Sequence, residues 1–319
     1  MAIINLLMAK AAIPVYNLRN ALHAHRDPGQ PGDFGYASLP ETRRIAGFEL
    51  YSNRGMLPAI GPIRSSFYRM GLSMRGTCDV QLGLEHFHHE DGTVNFTFPN
   101  QVFSKANLSD DAFGYYLLFE TDFLNELVPA MQIGVEFPFF CFNGVPFFKF
   151  NAAELAQIEA FILKINEELH GDQPGREKAI KMYVYLILLE CRRSYDRQGL
   201  GNEAHLSEAL RLVRRFRQLV SEHFLSHHQV ADYAGMLHVT PNHLNRTIKD
   251  NTGQTASDLI AAMQLQEARS LLRYTDMSAA EIGYRLSFSD PSSFNRFFRK
   301  ATGQTPLDYK KAYFGLSPA

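Results

Sequence analysis

The chain has 319 residues, of which 45% are hydrophobic and 20% charged, and its formal net charge is −1. This length allows two domains with a core each, and the ordinary apolar fraction excludes a disordered or fibrous chain. The charge is unevenly distributed, because residues 205–319 carry 14 Lys and Arg against 10 Asp and Glu, whereas the rest of the chain is acidic. A mildly basic end is compatible with nucleic-acid binding.

The cysteines and the apolar segments indicate a cytoplasmic protein. Cys78, Cys141 and Cys191 are far apart and odd in number. This fits neither a disulfide framework nor a metal site, so we expect them to be reduced and buried. Lys10 interrupts the apolar start of the chain and no basic segment precedes it, so no signal peptide is predicted. The most apolar stretch, residues 182–189, is too short to cross a membrane.

Residues 34–150 are rich in aromatic side chains and are interrupted by turn residues. The segments with the pattern of strands are 48–51, 64–70, 94–98 and 115–119. Apolar and polar residues alternate clearly in the third segment, and Asp91-Gly92 just before it predicts a hairpin turn. Several short strands at this spacing predict a β-sandwich or barrel. The aromatic residues within 137–148 fit core packing better than the lining of a pocket.

His86 and His88 are the residues of this region that could carry chemistry. A cupin barrel binds metal through such a pair, a following glutamate and a distant histidine. Gly92 and Thr93 occupy the positions where the glutamate would stand, and no histidine follows His89 until His170. Three ligands cannot be assembled in this way. The sequence therefore predicts no metal, no cofactor and no catalytic residue, and a cupin-type metalloenzyme is the alternative function.

Two helices are predicted after the strands, at residues 151–170 and 176–195. Asn151 can cap the first helix, with Glu154 completing a capping box. The apolar residues of this helix recur every three or four positions, as in a coiled-coil seam, and are Leu155, Ile158, Ile162, Ile165 and Leu169. The second helix is apolar nearly all round and should be buried. Glycines and polar residues at 197–204 predict a linker.

The last hundred residues contain one pattern twice. Residues 243–249 and 252–255 recur, with matching Asn, Arg and Thr-Gly-Gln-Thr, fifty positions later at 293–299 and 302–305. This register indicates an internal duplication. Each copy has the layout of a helix, a tight turn and a second helix, and a long amphipathic helix around residues 259–272 should hold the two units side by side.

Local signals fix the ends of the second helix of each copy. Thr240 and Asp290 are good N-caps, and each is followed by a proline at the first helical position. Gly253 and Gly303 stand at expected left-handed positions after the helix. In the second copy, the small Gly283 stands where the second helix must approach closely.

Two rigidly held units of this shape are suited to DNA, because the second helix of a helix-turn-helix reads base edges in the major groove. The outward positions are polar in both copies and are Asn242, His243, Asn245, Arg246 and Lys249 in the first, and Ser292, Ser293, Asn295, Arg296, Arg299 and Lys300 in the second. Arg can bond guanine and Asn adenine. For Lys249, Arg299 and Lys300 we expect phosphate contacts, which position the protein without reading sequence. The alternative is that these residues solvate a helix face.

The sequence of the second unit resembles the signature of a known family. Residues 288–300, then Thr302-Gly303 and Thr305-Pro306, are similar to the signature of the AraC/XylS transcription regulators, and the resemblance covers roughly residues 205–319. It implies two helix-turn-helix units set in successive major grooves. The family often has glycine or asparagine in the turn between the helices, where this chain has His238 and Ser287.

The resemblance also implies the rest of the architecture. Such regulators commonly carry a cupin-like barrel that binds a small effector, followed by helices that dimerise. The expected fold is therefore α+β, with an effector-binding and dimerisation domain at 1–196, the linker at 197–204 and a DNA-binding domain at 205–319. The expected partners are double-stranded DNA, a small-molecule effector, RNA polymerase and a second copy that binds through the seam. The alternatives are the metalloenzyme fused to a DNA-binding tail and a purely architectural DNA-binding protein, and no effector-binding residue can be named.

Overall fold

The computed structural model describes residues 15–18, 25–27, 29, 32–128, 133–142, 144–201 and 207–314. A β-rich domain is followed by a pair of helices and then by a helical domain, which confirms the predicted α+β class. Part of the predicted linker, residues 202–204, lies outside the described residues. Across the described part of the chain, no helix has the length and apolar character needed to span a membrane.

Ten strands in the described residues form two five-stranded sheets. The strands are β1 Val15–Tyr16, β2 Phe48–Ser52, β3 Ile60–Ser65, β4 Phe67–Arg75, β5 Cys78–Leu82, β6 Glu85–His89, β7 Thr93–Thr97, β8 Val102–Ala106, β9 Phe113–Glu120 and β10 Phe147–Lys149. Sheet one has the order β1-β3-β8-β5-β6, and sheet two has the order β10-β7-β4-β9-β2. The pairing is antiparallel except between β1 and β3.

Sheet two is buried on both faces. On its outer face, the ring of Phe96 lies 4.1 Å from that of Phe139, which in turn contacts Tyr195 of the helical pair. On its inner face, the guanidinium of Arg69 lies 4.0 Å from the centroid of the Phe103 ring of sheet one. The two sheets therefore face each other, and the helices cover the second sheet from behind.

The predicted strand segments are present, but their connections differ from the prediction. The segment 64–70 is divided at Ser66 between β3 and β4. The turn at Asp91-Gly92 is not a hairpin turn, because β6 belongs to sheet one and β7 to sheet two. Gly92 adopts φ 77° and carries the chain from one sheet to the other.

The helical pair follows β10, after a short helix α1 at Ile133–Glu136. It consists of α2 at Ala152–His170 and α3 at Arg176–Arg197. The predicted capping box is confirmed: the Glu154 amide donates to Asn151 Oδ1 over 2.9 Å, and the Asn151 amide donates to Glu154 Oε2 over 2.8 Å. The second helix ends two residues beyond the predicted position 195.

The predicted dimerisation seam is wrong, because its side chains already lie in the core of the single chain. The residues without exposed surface are Ile158, Ile162, Ile165 and Leu169, and Leu155 is half-buried beside them. The four buried residues pack with α3 and sheet two, so a partner subunit cannot reach them. Conversely, α3 is not buried all round, because Met182 is 51% exposed and Leu186 is 36% exposed.

The helical domain contains, in the described residues, α4 Glu208–His223, α5 Val230–Met236, α6 Pro241–Thr252, α7 Ala256–Tyr274, α8 Ala279–Arg285, α9 Pro291–Thr302 and α10 Pro306–Phe314. α5 and α6 form the first unit, and α8 and α9 form the second unit. α7 joins them, as predicted, and buries the apolar stripe that begins at Leu259 and ends at Leu272.

The joining helix also docks onto sheet one. Arg64 of β3 donates from Nε to Glu267 Oε2 over 2.9 Å, and both side chains are buried. Nearby, the Arg273 guanidinium donates to the Gly61 carbonyl, and the Gly61 amide donates to Tyr274 Oη over 3.2 Å. These contacts tie both helix-turn-helix units to strand β3 of the β-rich domain.

Candidate nucleic-acid interface

The first unit is a helix-turn-helix built on a small apolar core. Tyr233 and Ala234 of α5 are buried with Leu244 and Ile248 of α6. The predicted cap is confirmed, since the His243 amide donates to Thr240 Oγ1 over 3.2 Å. Proline at the first position leaves no helical N–H unsatisfied there.

The second unit repeats this construction. Ile282 of α8 and Leu286, which follows that helix, pack with Phe294 and Phe298 of α9, and all four are buried. Gly283 provides the predicted close approach, because a Cβ at this position would lie 2.9 Å from Phe294 Cβ. Any side chain here would push the two helices apart.

The turns between the helices adopt left-handed backbone conformations at the non-glycine residues that depart from the family pattern. His238 has φ 56° and Ser287 has φ 59°. Left-handed conformations cost a residue with a Cβ roughly 1 kcal/mol or more. Gly253 and Gly303, which end α6 and α9, adopt φ 73° and 80° as predicted and bear no such cost.

The predicted DNA-contacting side chains differ in exposure. Those that are exposed are Asn242, His243, Arg246 and Lys249 on the first unit, and Ser292, Asn295, Arg296, Arg299 and Lys300 on the second. Asn245 and Ser293 are half-buried. The exposed set places cationic and amide groups on one helix of each unit, where DNA could reach them.

The two matched asparagines have different surroundings. Asn245 Oδ1 accepts a hydrogen bond from the Ala256 amide over 3.0 Å, so this side chain ties α6 to the start of α7. Fifty positions on, the residue equivalent to Ala256 is Pro306, which has no N–H to donate. Among the described residues Asn295 has no hydrogen-bond partner and is exposed. The contact favours a structural role for Asn245 and leaves Asn295 available to a ligand.

The two matched arginines are both free to reach outward. The Arg246 side chain is 84% exposed, and its Nε lies 3.6 Å from Asp250 Oδ2 one turn along the helix. Arg296 is exposed, and its Nη2 donates weakly to Ser293 Oγ over 3.4 Å. Exposed pairs of this kind contribute little to stability, so DNA can displace them at small cost.

Ser293 takes part in the cap of α9. Its amide donates to Asp290 Oδ1 over 2.9 Å, and its hydroxyl donates to Asp290 Oδ2 over 2.7 Å. These bonds hold the pKa of Asp290 at about 2, so the cap stays ionised at neutral pH. The arrangement favours a capping role for Ser293 over base contact.

A second candidate site, which the sequence did not reveal, is a cavity of about 50 Å³ between the two sheets. Arg69 and Asn95 of sheet two and Lys105 of sheet one line it. The signal in the sequence is weak: each stands at an alternate position of a strand, where a polar residue normally faces solvent. Here the facing sheet covers that side of each strand.

The histidine pair has no metal-binding geometry. His88 Nδ1 lies 2.7 Å from Asp79 Oδ1, and His86 is exposed. Among the described residues, no group of three or more His, Cys, Asp or Glu is placed to hold a metal ion. Two of the three cysteines, Cys78 and Cys191, are buried as predicted, whereas Cys141 is half-buried.

Comparison with known proteins identifies the helical domain. A family model described as a helix-turn-helix domain matches residues 233–312, which span both units. The HTH-type transcriptional activator RhaS of Escherichia coli is 26% identical over 194 residues, which cover 60% of this chain. The match spans 64% of the length of RhaS, less than two thirds of that relative.

Two solved structures show partial likeness. The C-terminal domain of AraT, a response regulator from Geobacillus stearothermophilus, is 31% identical with a TM-score of 0.32, covering 34% of this chain and 88% of that one. ToxT from Vibrio cholerae is 14% identical with a TM-score of 0.39, covering 85% of this chain and all of its own. The duplicated units and the family match agree on the same residues: residues 233–312 of this chain form a helix-turn-helix domain, and the predicted resemblance to the AraC/XylS regulators is supported by the similarity to RhaS.

Proposed function

We propose that the chain is a sequence-specific DNA-binding transcription regulator, and not an enzyme, whose activity depends on a small molecule bound in the β-rich domain. The observation that carries this proposal is the pair of helix-turn-helix units, each with an exposed arginine at the same position of its second helix. An arginine at such a position can bond guanine through two parallel hydrogen bonds. The chain is divided into an effector and dimerisation domain at 1–196, a linker at 197–204 and a DNA-binding domain at 205–319.

The two units read successive turns of one duplex. Major grooves on one side of B-DNA recur about every 34 Å, so each protomer covers roughly 20 base pairs. Arg246 and Arg296 are the base-reading residues, with Asn242, His243 and Asn295 beside them, and Lys249, Arg299 and Lys300 contact phosphates. RNA polymerase is the partner through which bound protein alters transcription.

The docking of α7 onto β3 supplies a route between the cavity and the DNA-binding units. Ile60 lines the cavity, and the amide of its neighbour Gly61 bonds Tyr274 of α7. Three positions beyond Gly61 on the same strand, Arg64 bonds Glu267 of α7. A ligand that shifts β3 by a fraction of an ångström therefore changes contacts that position both units. Such a coupling has the same strength in both directions, so DNA also changes the affinity for the ligand.

Dimerisation uses the outer face of the helical pair instead of its buried seam. Leu163 of α2 is 43% exposed, and Met182 and Leu186 of α3 are exposed on the same pair of helices. Burying such side chains against a second copy removes apolar surface from water. A homodimer would bring four helix-turn-helix units together on DNA.

The proposal is tested by selecting bound DNA from a random library with the full-length protein, and then titrating the enriched site. We expect a site with two conserved segments about one helical turn apart, bound far more tightly than a scrambled duplex. The control for the arginines of the helix-turn-helix units is Arg193→Ala, which removes an exposed arginine of α3 and should leave binding to the selected site normal. Equal affinity for all sequences would contradict the proposed function.

A further inference from the structure

The cavity between the sheets has an unusual balance of charge. Its walls are mainly apolar, and the apolar side chains that line it include Met56, Ile60, Val80 and Phe103. The basic side chains Arg69, Arg75 and Lys105 also line it, whereas no described lining residue is Asp or Glu. A volume of about 50 Å³ holds several water-sized groups, because a single water needs roughly 10–15 Å³.

Arg69 is a buried cation without a counter-charge. It is 4% exposed, and among the described residues its guanidinium makes no ion pair and its Nε has no hydrogen-bond partner. The charge of Arg69 is stabilised by a cation–π contact with Phe103, whose ring centroid lies 4.0 Å from Arg69 Cζ. Burial lowers the pKa of Arg69 to about 10, which leaves it protonated at neutral pH.

The nearest buried acid on the same face does not neutralise Arg69. Glu49 lies across β9, since both residues pair in register with Leu118. Its carboxylate accepts a hydrogen bond from Tyr51 Oη over 3.2 Å. Burial raises the pKa of Glu49 to about 7, so it is partly protonated at neutral pH. The positive charge of Arg69 thus stays uncompensated.

A second cation enters the cavity from the opposite sheet. Lys105 stands on β8 of sheet one, and among the described residues it forms no ion pair. Burial and the neighbouring Arg69 both lower the pKa of Lys105, whose other close neighbour is the Cys78 thiol. Holding two like charges near each other in an apolar space is destabilising unless an anion joins them.

An open acceptor completes the polar part of the cavity. Thr93 Oγ1 donates to the Glu90 carbonyl over 2.6 Å, so it accepts from His89 Nδ1 at 2.6 Å. Burial lowers the pKa of His89 to about 3, so the ring is neutral and its Nε2 accepts from Asn95 Nδ2 over 2.7 Å. Asn95 Oδ1 is left without a partner among the described residues and can accept from a water or a ligand hydroxyl.

We propose that this cavity is an anion-binding site for a small organic carboxylate, with the carboxylate held between Arg69 and Lys105 and the apolar body against Ile60, Val80 and Phe103. A carboxylate offers two oxygens to the planar fork of Arg69 and removes both cations from an uncompensated state. The apolar walls disfavour inorganic phosphate, whose further oxygens would lose their water without gaining donors. That the carboxylate acts as an effector rests on the proposed function, but its binding does not.

Thermal unfolding of the full-length protein tests the site with defined probes. Sodium propionate and sodium butyrate should each raise the Tm by several degrees, whereas propionamide, butyramide and sodium phosphate at the same ionic strength should not. Arg69→Met should abolish the response and raise the Tm of the ligand-free protein, because it removes an unpaired buried charge. Arg193→Met, on the surface of α3, is the matched control and should keep the response.

The contrary outcomes are equally definite. An equal shift with butyramide or phosphate, or a full butyrate response in Arg69→Met, overturns the proposal, as does the absence of any carboxylate effect on the wild-type protein. Lys105→Met gives a second variant with the same expected loss, should Arg69→Met fail to fold. DNA titrations on the same samples separate the two proposals: specific DNA binding without a carboxylate response contradicts this inference alone, whereas the reverse contradicts only the proposed function.

Discussion

The ion pair between Arg64 and Glu267 should decide how firmly the DNA-binding units are held to the β-rich domain. The two side chains are 7% and 0% exposed, and their Nε–Oε2 distance is 2.9 Å. Arg64 also donates to the Asn100 carbonyl over 2.6 Å, and its guanidinium lies 5.3 Å from the ring centroid of Phe224, just after α4. Glu267→Leu removes one partner and leaves the guanidinium buried.

The magnitude follows from burial. Breaking a buried pair from one side costs about 3–5 kcal/mol, because the remaining charge has neither water nor a counter-ion. We therefore expect Glu267→Leu to lower the free energy of unfolding by this amount. The double variant, with Arg64→Met added, should recover most of the loss, because no charge is then buried and Asn100 is an exposed residue whose carbonyl can bond water instead.

Urea unfolding followed by far-UV circular dichroism measures these differences, since the chain has no tryptophan for fluorescence. The comparison of the two single variants with the double variant gives the coupling between the residues. A loss below about 0.5 kcal/mol for Glu267→Leu would refute the reasoning, since that is the ordinary effect of a surface change. Additive losses in the double variant would refute it equally.

Three further predictions concern the helices. Arg296→Ala should lower affinity for the selected site by about 1–3 kcal/mol and hardly change affinity for scrambled DNA, whereas Lys249→Ala should weaken both equally in gel-shift titrations. Asn245→Ala should lower the free energy of unfolding by about 1 kcal/mol, because the Ala256 amide loses its acceptor, and Asn295→Ala should leave it unchanged in urea unfolding. Met182→Glu should convert a dimer to a monomer in analytical ultracentrifugation, and a dimer that persists would reject the outer face as the interface.

The helix-turn-helix units could be predicted almost completely because their signals are local. Caps at Thr240 and Asp290, and left-handed glycines at 253 and 303, are set by residues within a few positions of each other. Because the pattern occurs twice, each position of one unit could be compared with its equivalent in the other. Even the unequal asparagines are visible in retrospect, because Pro306 replaces the amide that Asn245 bonds in the first unit.

The β-rich domain could be predicted only in part, because its burial depends on pairing between distant strands. Strand β5 alternates apolar and polar residues, whereas β6 and β8 do so only weakly, and none of these three short strands was predicted from the sequence. The apolar seam of α2 was identified correctly as an apolar stripe, but periodicity cannot tell whether a stripe faces the chain's own core or a partner. Here sheet two and α3 cover it.

The coverage of sheet two on both faces explains why a ligand site could arise there. In a sheet with one solvent-exposed face, the side chains of Arg69, Asn95 and Thr97 would be hydrated. Folding would then carry no desolvation cost for them. Sheet one instead buries them, and leaves Arg69 Nε, Asn95 Oδ1 and Thr97 Oγ1 without partners among the described residues. Buried polar atoms are rarely left in this state unless a water, ion or ligand satisfies them. Arg69 and Asn95 line the same cavity as Ile60 of strand β3, which bonds the joining helix through Gly61. A molecule bound to Arg69 and Asn95 in this cavity therefore lies against the strand that holds the DNA-binding units.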